Sequence, residues 1–267
     1  MTTLCWIHGY SGRMGSEIRD LMNSEPSTWS LLGGTALGAM ADAQSGEQWS
    51  DWNRLPSFLK KVDLIIDFSA AEANKLLLQT LNSSEIRDKA ILLGTTGLDG
   101  GTLEAWFAFA KKTNCRLLQA PNTSLGVLLT LKVSQLLGQV LSPLGFDIEL
   151  VESHHRNKID APSGTGKFLA EGVARVLEKH TVYGRQGKRT ADEIGMASLR
   201  GGSVFGEHEL RFLGEHEELT VSHRALSRTL FAEGALHLSR WLLKQKPGAY
   251  QLEQISIEEM VALLKNP

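Results

Sequence analysis

The first half of the sequence alternates short apolar runs with segments of helical periodicity, and this alternation limits the fold more than any other feature. The predicted strands are residues 4–7, 31–39, 62–67, 89–93 and 116–119, and the predicted helices lie around 18–22, 71–81 and 103–112. Continuous apolar strands are typical of a sheet that is covered on both faces. The order of elements therefore predicts an α/β fold with a doubly wound parallel sheet.

The pattern changes after residue 125 and predicts a second, α+β domain. A run of strands without intervening helices is typical of an antiparallel or mixed sheet. We expect the polar, basic segment 181–193 to be a mobile loop. Two amphipathic helices close the chain and could pack back on the first domain. The elements predicted here are helices at 125–141, 165–178, 232–243 and 257–264, and strands at 146–153, 194–200, 203–213 and 218–223.

Size and composition fit a soluble protein of two domains. The chain has 267 residues, 42% of them hydrophobic, and 28 basic against 30 acidic side chains. This balance gives no support for nucleic-acid or membrane-surface binding. Cys5 and Cys115 lie in separate apolar runs. We interpret them as buried, small apolar side chains of a protein that is kept in the reducing cytosol. No signal peptide is indicated, and no apolar run approaches the ~20 residues of a membrane span, so we expect a cytoplasmic protein.

A glycine-rich turn follows the first predicted strand. Its sequence is Gly9-Tyr10-Ser11-Gly12-Arg13-Met14-Gly15, a GxxGxxG variant of the dinucleotide-binding fingerprint. The three glycines would allow the tight turn, the close approach of a pyrophosphate and the packing of the helix, whose N-terminus favours anions. An ordinary strand–helix turn is the alternative. The preceding strand and the following helix favour nucleotide binding.

The nucleotide preference has a weaker signal. An acidic residue about 20 positions beyond the glycines normally holds the ribose hydroxyls of NAD. The second predicted strand ends without one, Asp42 lies too far along, and no arginine is placed for a 2′-phosphate. Because the missing carboxylate would not repel a phosphate, we expect NADPH to be favoured over NADH.

Two further segments follow predicted strands at the edge where ligands of such sheets bind. Small residues there would leave room for a nicotinamide and its ribose, although either segment alone could be a plain turn. Together they favour cofactor binding. The candidate residues are Gly94, Thr95, Thr96, Ala120, Pro121, Asn122 and Thr123.

The segment 152–165 concentrates groups that transfer protons and bind anions. His154 and His155 follow a predicted strand, and histidine gives or takes a proton near neutral pH. Lys158 would be ~13 Å from His154 in an extended chain, so both can touch one small molecule only if the chain turns near Asn157.

The same segment ends in a predicted helix entry. Asp160 or Ser163 can cap the helix, Pro162 is tolerated in its first turn, and the N–H groups of Gly164 and Thr165 can bind a carboxylate.

Paired histidines could instead hold a metal or face solvent. Zinc would need further ligands at matched spacing, and the remaining histidines are scattered along the sequence at 180, 208, 216, 223 and 237. We therefore predict no metal site. A lysine and an anion-binding turn in the same loop favour a catalytic function.

These residues resemble the 4-hydroxy-tetrahydrodipicolinate reductase family, formerly dihydrodipicolinate reductases, of the diaminopimelate–lysine pathway. The resemblance covers nearly the whole chain and is most specific in the string HHxxKxDAPSGT. It implies a Rossmann domain of residues 1–125 and 229–267, and a central α+β domain, 126–228, with a mixed sheet for substrate binding and tetramerisation. It also implies a homotetramer that reduces 4-hydroxy-tetrahydrodipicolinate with NADPH or NADH.

The resemblance also implies roles for single residues. His154 would be the proton donor and acceptor and Lys158 the second proton donor, while His155, Gly164 and Thr165 would bind the substrate dicarboxylate. The cofactor would contact residues 9–14, 94–96 and 120–123. His8 and Thr123 depart from the residues usual in the family. Two alternatives remain open, another NAD(P)-dependent imine or aldehyde reductase and a non-catalytic NAD(P)-binding sensor.

Overall fold

The computed structural model describes residues 2–36, 39–42, 48–49 and 55–265. The chain divides into two compact units, the first formed by residues 1–123 and 229–267 and the second by residues 124–228. Each unit has its own sheet.

Eight helices and thirteen strands are found among the described residues. The helices are α1 (Arg13–Ser24), α2 (Leu55–Leu59), α3 (Ala71–Ser83), α4 (Gly100–Thr113), α5 (Leu125–Leu141), α6 (Gly164–Leu177), α7 (Thr229–Leu243) and α8 (Ile257–Lys265). The strands are β1 (Thr3–His8), β2 (Trp29–Ala36), β3 (Ala39–Asp42), β4 (Gln48–Trp49), β5 (Leu64–Asp67), β6 (Ala90–Leu93), β7 (Arg116–Gln119), β8 (Asp147–His154), β9 (His180–Tyr183), β10 (Glu193–Arg200), β11 (Glu207–Leu213), β12 (Glu218–Arg224) and β13 (Gly248–Gln251).

The sheet of the first unit has the order β13-β7-β6-β5-β1-β2-β3-β4. Its first six strands are parallel, and β3 and β4 continue the sheet in antiparallel pairing. The strand order reverses at β1, which lies between β5 and β2. This is the Rossmann-like parallel sheet predicted from the alternation, and ligands of such sheets bind at the carboxyl ends of the strands near the reversal.

Both faces of the parallel sheet are covered, which explains its continuous apolar strands. Trp6, Ile65, Ile91 and Leu117 pack with the apolar sides of α3 and α4 in one buried cluster. Because side chains alternate along a strand, their neighbours point to the opposite face, where α7 packs against α1, β6 and β7. The expectation that the late helix returns to the first domain is confirmed for α7.

The predicted second strand, 31–39, is wrong beyond Ala36. The chain returns antiparallel as β3, and residues 37 and 38 lie outside the described residues. Sequence periodicity also gave no sign of β4 or of β13, whose side chains alternate between partly buried and exposed. Such short strands without an apolar run are recognised only by their pairing.

The second unit has a mixed sheet of order β12-β11-β8-β10-β9, as predicted for the second domain. β8 pairs antiparallel with β11 and parallel with β10. Every second residue of β8 is buried, and Ile148 and Leu150 join the core that α5 and α6 form over this face.

Three boundaries in the second unit differ from the sequence prediction. β9 lies inside the segment expected to be a mobile loop and pairs with β10. β11 begins at Glu207 and not at residue 203, since Gly202, at φ +54°, belongs to a turn. α6 begins at Gly164 with Ser163 as its N-cap, so Pro162 precedes the cap and does not lie in the first turn.

The prediction that no apolar run approaches the length of a membrane span is wrong for one segment. The segment Leu125–Leu144 is long and apolar enough to cross a membrane by length and composition. In the structure α5 buries Val127, Leu128 and Leu131 and packs against α6. Its apolar character is thus used in the core of the second unit.

Both cysteines are free and fully buried, as predicted. Burial first, and then the charge of Asp63, raises the pKa of the Cys5 thiol above its ordinary value. The thiol therefore stays protonated and packs as a small apolar group.

A buried polar network ties β5 to α3 and α4. The Asp67 carboxylate accepts hydrogen bonds from Ser69 Oγ at 2.6 Å and from Asn74 Nδ2 at 2.6 Å. The Asn74 carbonyl oxygen in turn accepts from Trp106 Nε1 at 2.8 Å. Asp67, Asn74 and Trp106 are all fully buried, so each depends on the others for its hydrogen bonds.

Replacing Asn74 by Ala should lower the free energy of unfolding by roughly 2–4 kcal/mol, because one oxygen of the buried Asp67 carboxylate and the buried Trp106 N–H both lose their hydrogen bonds to Asn74. Urea unfolding of both proteins measures the difference. Asn82→Ala, on the exposed side of the same helix, is the matched control and should change stability by about 0.5 kcal/mol or less. Equal effects of the two substitutions would contradict the assignment.

Candidate active site

The glycine-rich turn of the first unit is packed too closely for side chains at its first and last glycines. Gly9 has φ +92°, and a Cβ there would meet the Phe68 carbonyl group. A Cβ on Gly15 would meet the carbonyl oxygen of Gly9. The backbone N–H groups of Gly9 and Tyr10 both donate to the Thr35 carbonyl oxygen at 2.8 Å. The turn is therefore fixed to the end of β2.

The start of α1 fits the pyrophosphate of a dinucleotide. Gly12 is the N-cap and has no side-chain capping bond, and the first turn of α1 has no acidic residue. Helix geometry gives the N–H groups of Arg13 and Met14 no intrahelical carbonyl, and the helix dipole favours an anion beside them. The amides of Gly9, Tyr10 and Gly12 are bonded to carbonyl groups, so these residues shape the turn.

His8, unusual at the end of such a strand, is accommodated inside the first unit. It is buried, and its Nδ1 contacts Thr35 Oγ1 while Nε2 lies 3.0 Å from the Ala73 carbonyl oxygen. Burial lowers the pKa of His8 below its ordinary value against the opposing effects of Asp67 and Ala73. His8 is therefore a neutral bridge between β1, β2 and α3.

The other candidate cofactor segments begin at the carboxyl ends of β6 and β7, which follow β5 in the sheet on the side away from β1. Thr95 is buried and accepts from the Ser69 N–H at 2.9 Å. Thr123 is buried and donates to the Phe231 carbonyl oxygen at 2.6 Å, while Thr96 and Pro121 are exposed. The predicted cofactor residues of these two segments therefore follow the carboxyl ends of neighbouring parallel strands.

In the second unit, β8 carries Glu152 and His154 on its buried face. The two are two residues apart on a strand and so share a face, where they continue the row of Ile148 and Leu150. Glu152 is 0% exposed and His154 is 7% exposed. His154 Nδ1 forms a short contact with Glu152 Oε2. Since His154 ends β8, the predicted strand end at Ser153 is one residue short.

The second oxygen of Glu152 is bound from two directions. Arg200 Nη2, at the end of β10, lies 2.8 Å from Glu152 Oε1. The backbone N–H of Ser163 donates to the same oxygen at 3.3 Å. Arg200 Nη2 also donates to the Asp160 carbonyl oxygen at 2.5 Å. Arg200 therefore joins the carboxylate to the loop that leads to α6.

These contacts set the protonation of the Glu152–His154 pair. Burial, the largest influence, raises the pKa of Glu152, but hydrogen bonds from Arg200 and Ser198 and nearby positive charges hold it below its ordinary value. Burial is also the largest influence on His154 and lowers its pKa. Glu152 opposes this effect, whereas Lys158 and Arg200 add to it, and the net pKa is lowered. At pH 7 the pair is thus mainly carboxylate and neutral imidazole.

His208, on β11 opposite Glu152, forms the far side of this site. Its ring meets that of His154 edge to face, with centroids 5.1 Å apart, and lies 6.2 Å from that of His223. Burial, and then His154 and His223, lowers the pKa of His208 to about 3. His208 is far from His154 in the sequence and therefore looks isolated there, but the fold brings the two rings into contact.

The loop after β8 turns as the sequence analysis required. The backbone N–H of Lys158 donates to the His155 carbonyl oxygen at 3.1 Å, and Lys158 is close enough to lower the pKa of His154. Lys158 Nζ pairs with the Asp160 carboxylate at 2.8 Å. No hydrogen bond or ion pair of the His155 ring is found among the described residues.

The start of α6 supports the anion-binding prediction. Ser163 Oγ accepts from the Gly166 N–H at 3.0 Å, and the first turn has no acidic residue. The Asp160 carboxylate already receives hydrogen bonds from Lys158 and from the Gly164 N–H, which with the charge of Lys158 lower its pKa against the effect of burial. The Asp160 carboxylate is thus bound by the Gly164 N–H, one of the groups that are predicted to bind a carboxylate of the substrate.

Sequence reasoning missed Glu152, Arg200 and His208 as parts of this site. Period-two spacing was a usable signal for Glu152, because an acid two residues before His154 in an otherwise apolar row must share its buried face. Arg200 and His208 had no local signal, since they reach β8 through long-range strand pairing.

Family models match both halves of the chain. The model described as "Dihydrodipicolinate reductase, N-terminus" matches residues 5–123, and the one described as "Dihydrodipicolinate reductase, C-terminus" matches residues 126–255.

Similar proteins cover most of the chain. The 4-hydroxy-tetrahydrodipicolinate reductase of Campylobacter lari is 37% identical over 254 residues, which span 92% of this chain and 96% of the relative. The reductase of that name from Aquifex aeolicus is 42% identical over 206 residues, 75% of each chain.

A solved structure has the same fold. A dipicolinate-bound dihydrodipicolinate reductase from Paenisporosarcina sp. TG-14 superposes with a TM-score of 0.73 at 21% identity, over 96% of this chain and 100% of that chain.

The buried His208 should make the second unit sensitive to acid. Its pKa is about 3 in the folded protein and ~6.5 when unfolded, so between these values only the unfolded chain is protonated. Stability is therefore lost as pH falls below ~6.5, by about 2 kcal/mol for one histidine between pH 7 and pH 5. His208→Gln should lose about that much less than the wild type over the same pH step.

Urea unfolding at both pH values measures this difference. His216→Gln is the control, because its side chain is 87% exposed, and it should keep the wild-type pH dependence. An unchanged pH dependence in His208→Gln would show that His208 does not stay neutral in the folded state.

Proposed function

The chain belongs to the dihydrodipicolinate reductase family, and on this premise we propose that it reduces 4-hydroxy-tetrahydrodipicolinate to tetrahydrodipicolinate in diaminopimelate and lysine biosynthesis. The chain is an oxidoreductase with a nicotinamide-binding domain. The observation that carries the proposed residue roles is the loop after β8. It turns back after His155, brings Lys158 close enough to lower the pKa of His154, and leads into the N-terminus of α6, which supports the proposed roles.

The first unit would bind NADPH or NADH through the glycine-rich turn and the ends of β6 and β7. The unobstructed first turn of α1 supports pyrophosphate binding beside Arg13. When bound, the nicotinamide supplies a hydride to C4 of the conjugated imine that the substrate becomes on losing water. We favour NADPH, because the described part of β2 ends at Ala36 without an acidic side chain.

His154 and Lys158 would handle the protons. With Nδ1 turned toward Glu152, Nε2 is the ring nitrogen that His154 can offer to a substrate. The ammonium group of Lys158 is partly accessible, with 25% of its side chain exposed. The ammonium group of Lys158 can return the proton that the substrate needs after hydride addition, and His154 can do so only after Nε2 has first taken up a proton.

His155, Gly164 and Thr165 would bind the two carboxylates of the substrate. Gly164 is exposed, and His155 and Thr165 are partly buried, so all three can be reached from solvent. The dipole of α6 favours an anion at its start. Lys158 and the Gly164 N–H would exchange the Asp160 carboxylate for one of the substrate. The homotetramer implied by the family resemblance and the cytoplasmic location expected from the sequence belong to this proposal.

Both His154→Gln and Lys158→Ala should lower kcat with 4-hydroxy-tetrahydrodipicolinate by roughly 10²-fold or more, as loss of a general acid or base does. Initial rates of NAD(P)H oxidation on freshly generated substrate measure the effect. Lys179→Ala, at the far end of α6 near the exposed Ala191 carbonyl oxygen, is the control and should keep the wild-type rate.

Near wild-type turnover in both variants would refute these catalytic roles. Turnover of other imines or aldehydes at higher kcat/KM than this substrate would favour a different reductase. Tight NAD(P)H binding without reduction of any of these compounds would favour a non-catalytic sensor.

The wild-type enzyme should have a higher kcat/KM with NADPH than with NADH, because no acidic side chain in the described part of β2 repels a 2′-phosphate. Initial rates with each cofactor at saturating substrate test this. A preference for NADH would contradict it. Arg13→Ala should raise KM for both cofactors to a similar degree, since Arg13 begins α1 and would lie beside the pyrophosphate that both cofactors share.

A further inference from the structure

The buried Glu152 carboxylate of the second unit contacts the His154 ring in addition to the groups that stabilise the fold around it. Glu152 is fully buried, and its two oxygens have different partners. Oε1 takes Arg200 Nη2 at 2.8 Å and the Ser163 N–H at 3.3 Å. Oε2 contacts His154 Nδ1, and the Ser198 side chain also donates a hydrogen bond to this carboxylate. Oε1 therefore links β8 to β10 and to the start of α6, whereas Oε2 contacts the His154 ring.

Burying this carboxylate costs several kcal/mol unless charges and hydrogen bonds compensate. Arg200 supplies the opposite charge, and the Ser163 N–H supplies a backbone donor from the N-cap of α6. Together with the hydrogen bond from Ser198, these partners hold the pKa of Glu152 below its ordinary value, so the carboxyl group is ionised at neutral pH. Its contact with His154 is therefore additional, and a contact with an ionised carboxylate requires His154 to present Nδ1 as an N–H donor.

The opposite side of the His154 ring is kept open by a glycine. A Cβ on Gly206 would lie 3.1 Å from His154 Nε2, close enough to crowd that nitrogen. The edge of His208 limits rotation of the ring from another side. The ring is thus oriented by Glu152 and His208, and position 206 has no side chain that would crowd Nε2.

We propose that Glu152 is a positioning residue that fixes His154 as the Nδ1–H tautomer, so that Nε2 is the atom that exchanges a proton with the substrate. This inference rests on the proposed function for its catalytic meaning, but the tautomer itself does not depend on any substrate. Glu152 acts through His154 and does not touch the substrate. The second-unit groups that face His154 are Glu152 on β8, Lys158 in the following loop, Arg200 on β10 and His208 on β11, with His223 on β12 behind His208.

The first test is a spectroscopic comparison of the wild type with Glu152→Gln in the absence of substrate. Nitrogen-15 and carbon-13 spectra of labelled histidines report the tautomer and pKa of each ring, and His154→Gln identifies the signals of His154. In the wild type we expect neutral His154 to be protonated at Nδ1. In Glu152→Gln both tautomers should appear, and the pKa of His154 should fall further because the charge that raises it is gone.

The second test is kinetic. Glu152→Gln should lower kcat by about ten-fold or more while KM changes less than about three-fold, because a misplaced proton-transfer group affects the transition state more than binding. The fall of activity with rising pH should begin at a lower pH than in the wild type. Glu171→Gln, on the exposed side of α6 where Glu171 accepts from Tyr183, should match the wild type.

Glu152→Gln leaves Arg200 without its charged partner and could unfold the second unit. Circular dichroism and thermal melting identify that case. Glu152→Asp then takes over the test, since it keeps the charge paired with Arg200 and shortens the reach to His154. It should retain the fold, lose the single tautomer and show the same fall in kcat.

The results of these tests separate the positioning role of Glu152 from the proposed function of the enzyme. An unchanged tautomer and pKa of His154 in a folded Glu152 variant would overturn the positioning role, whatever the activity. A shifted tautomer in an enzyme whose wild type does not reduce the substrate would support the positioning role and refute the proposed function. A variant whose KM rises while kcat is kept would show that Glu152 supports the α6 entry and not His154.

Discussion

The register of β8 between β10 and β11 is the constraint on which the second unit depends. It pairs Glu152 with His208 on one side, and His154 with Arg200 on the other. A slip of one residue would turn Glu152 and His154 away from the core face and separate all four side chains. The apolar residues Ile148 and Leu150 share that face, so the hydrophobic core and the polar site select the same register. The site is thus stabilised by the folding of the sheet itself.

The two units position their functional groups by different means. In the first, the glycine-rich turn is held by backbone contacts, chiefly from Gly9 and Tyr10 to the Thr35 carbonyl oxygen, and side chains are excluded by close packing. In the second, an ionised side chain holds the site through Arg200 and Ser163. Backbone amides suit an anion that is recognised by shape and charge. A proton-transfer group additionally needs a defined tautomer, which a neighbouring carboxylate can fix.

Local patterns predicted the elements whose cause is local. α5 begins and ends where periodicity placed it, because Ser124 caps its start and a 3₁₀ turn with a proline follows Leu141. The turn near Asn157 followed from the reach of the chain alone. β9 and β13 were missed because their stability comes from pairing with β10 and β7. For the same reason His208 looked isolated in the sequence, although strand pairing brings it against His154.

Burial separates the groups that hold the site from those that could meet a substrate. Glu152, His208 and Ser163 are nearly inaccessible, whereas Lys158, Gly164 and Thr165 are partly or fully exposed. Buried charged groups exchange partners only at the full cost of desolvation, so the first set stays fixed while ligands come and go. The pair of Lys158 and Asp160 is partly exposed, with 25% and 55% of the two side chains accessible, so an exchange of partners there costs less desolvation than in the buried set. Under the proposed function, a dicarboxylate would therefore replace Asp160 at Lys158 without disturbing the buried contact between Glu152 and His154.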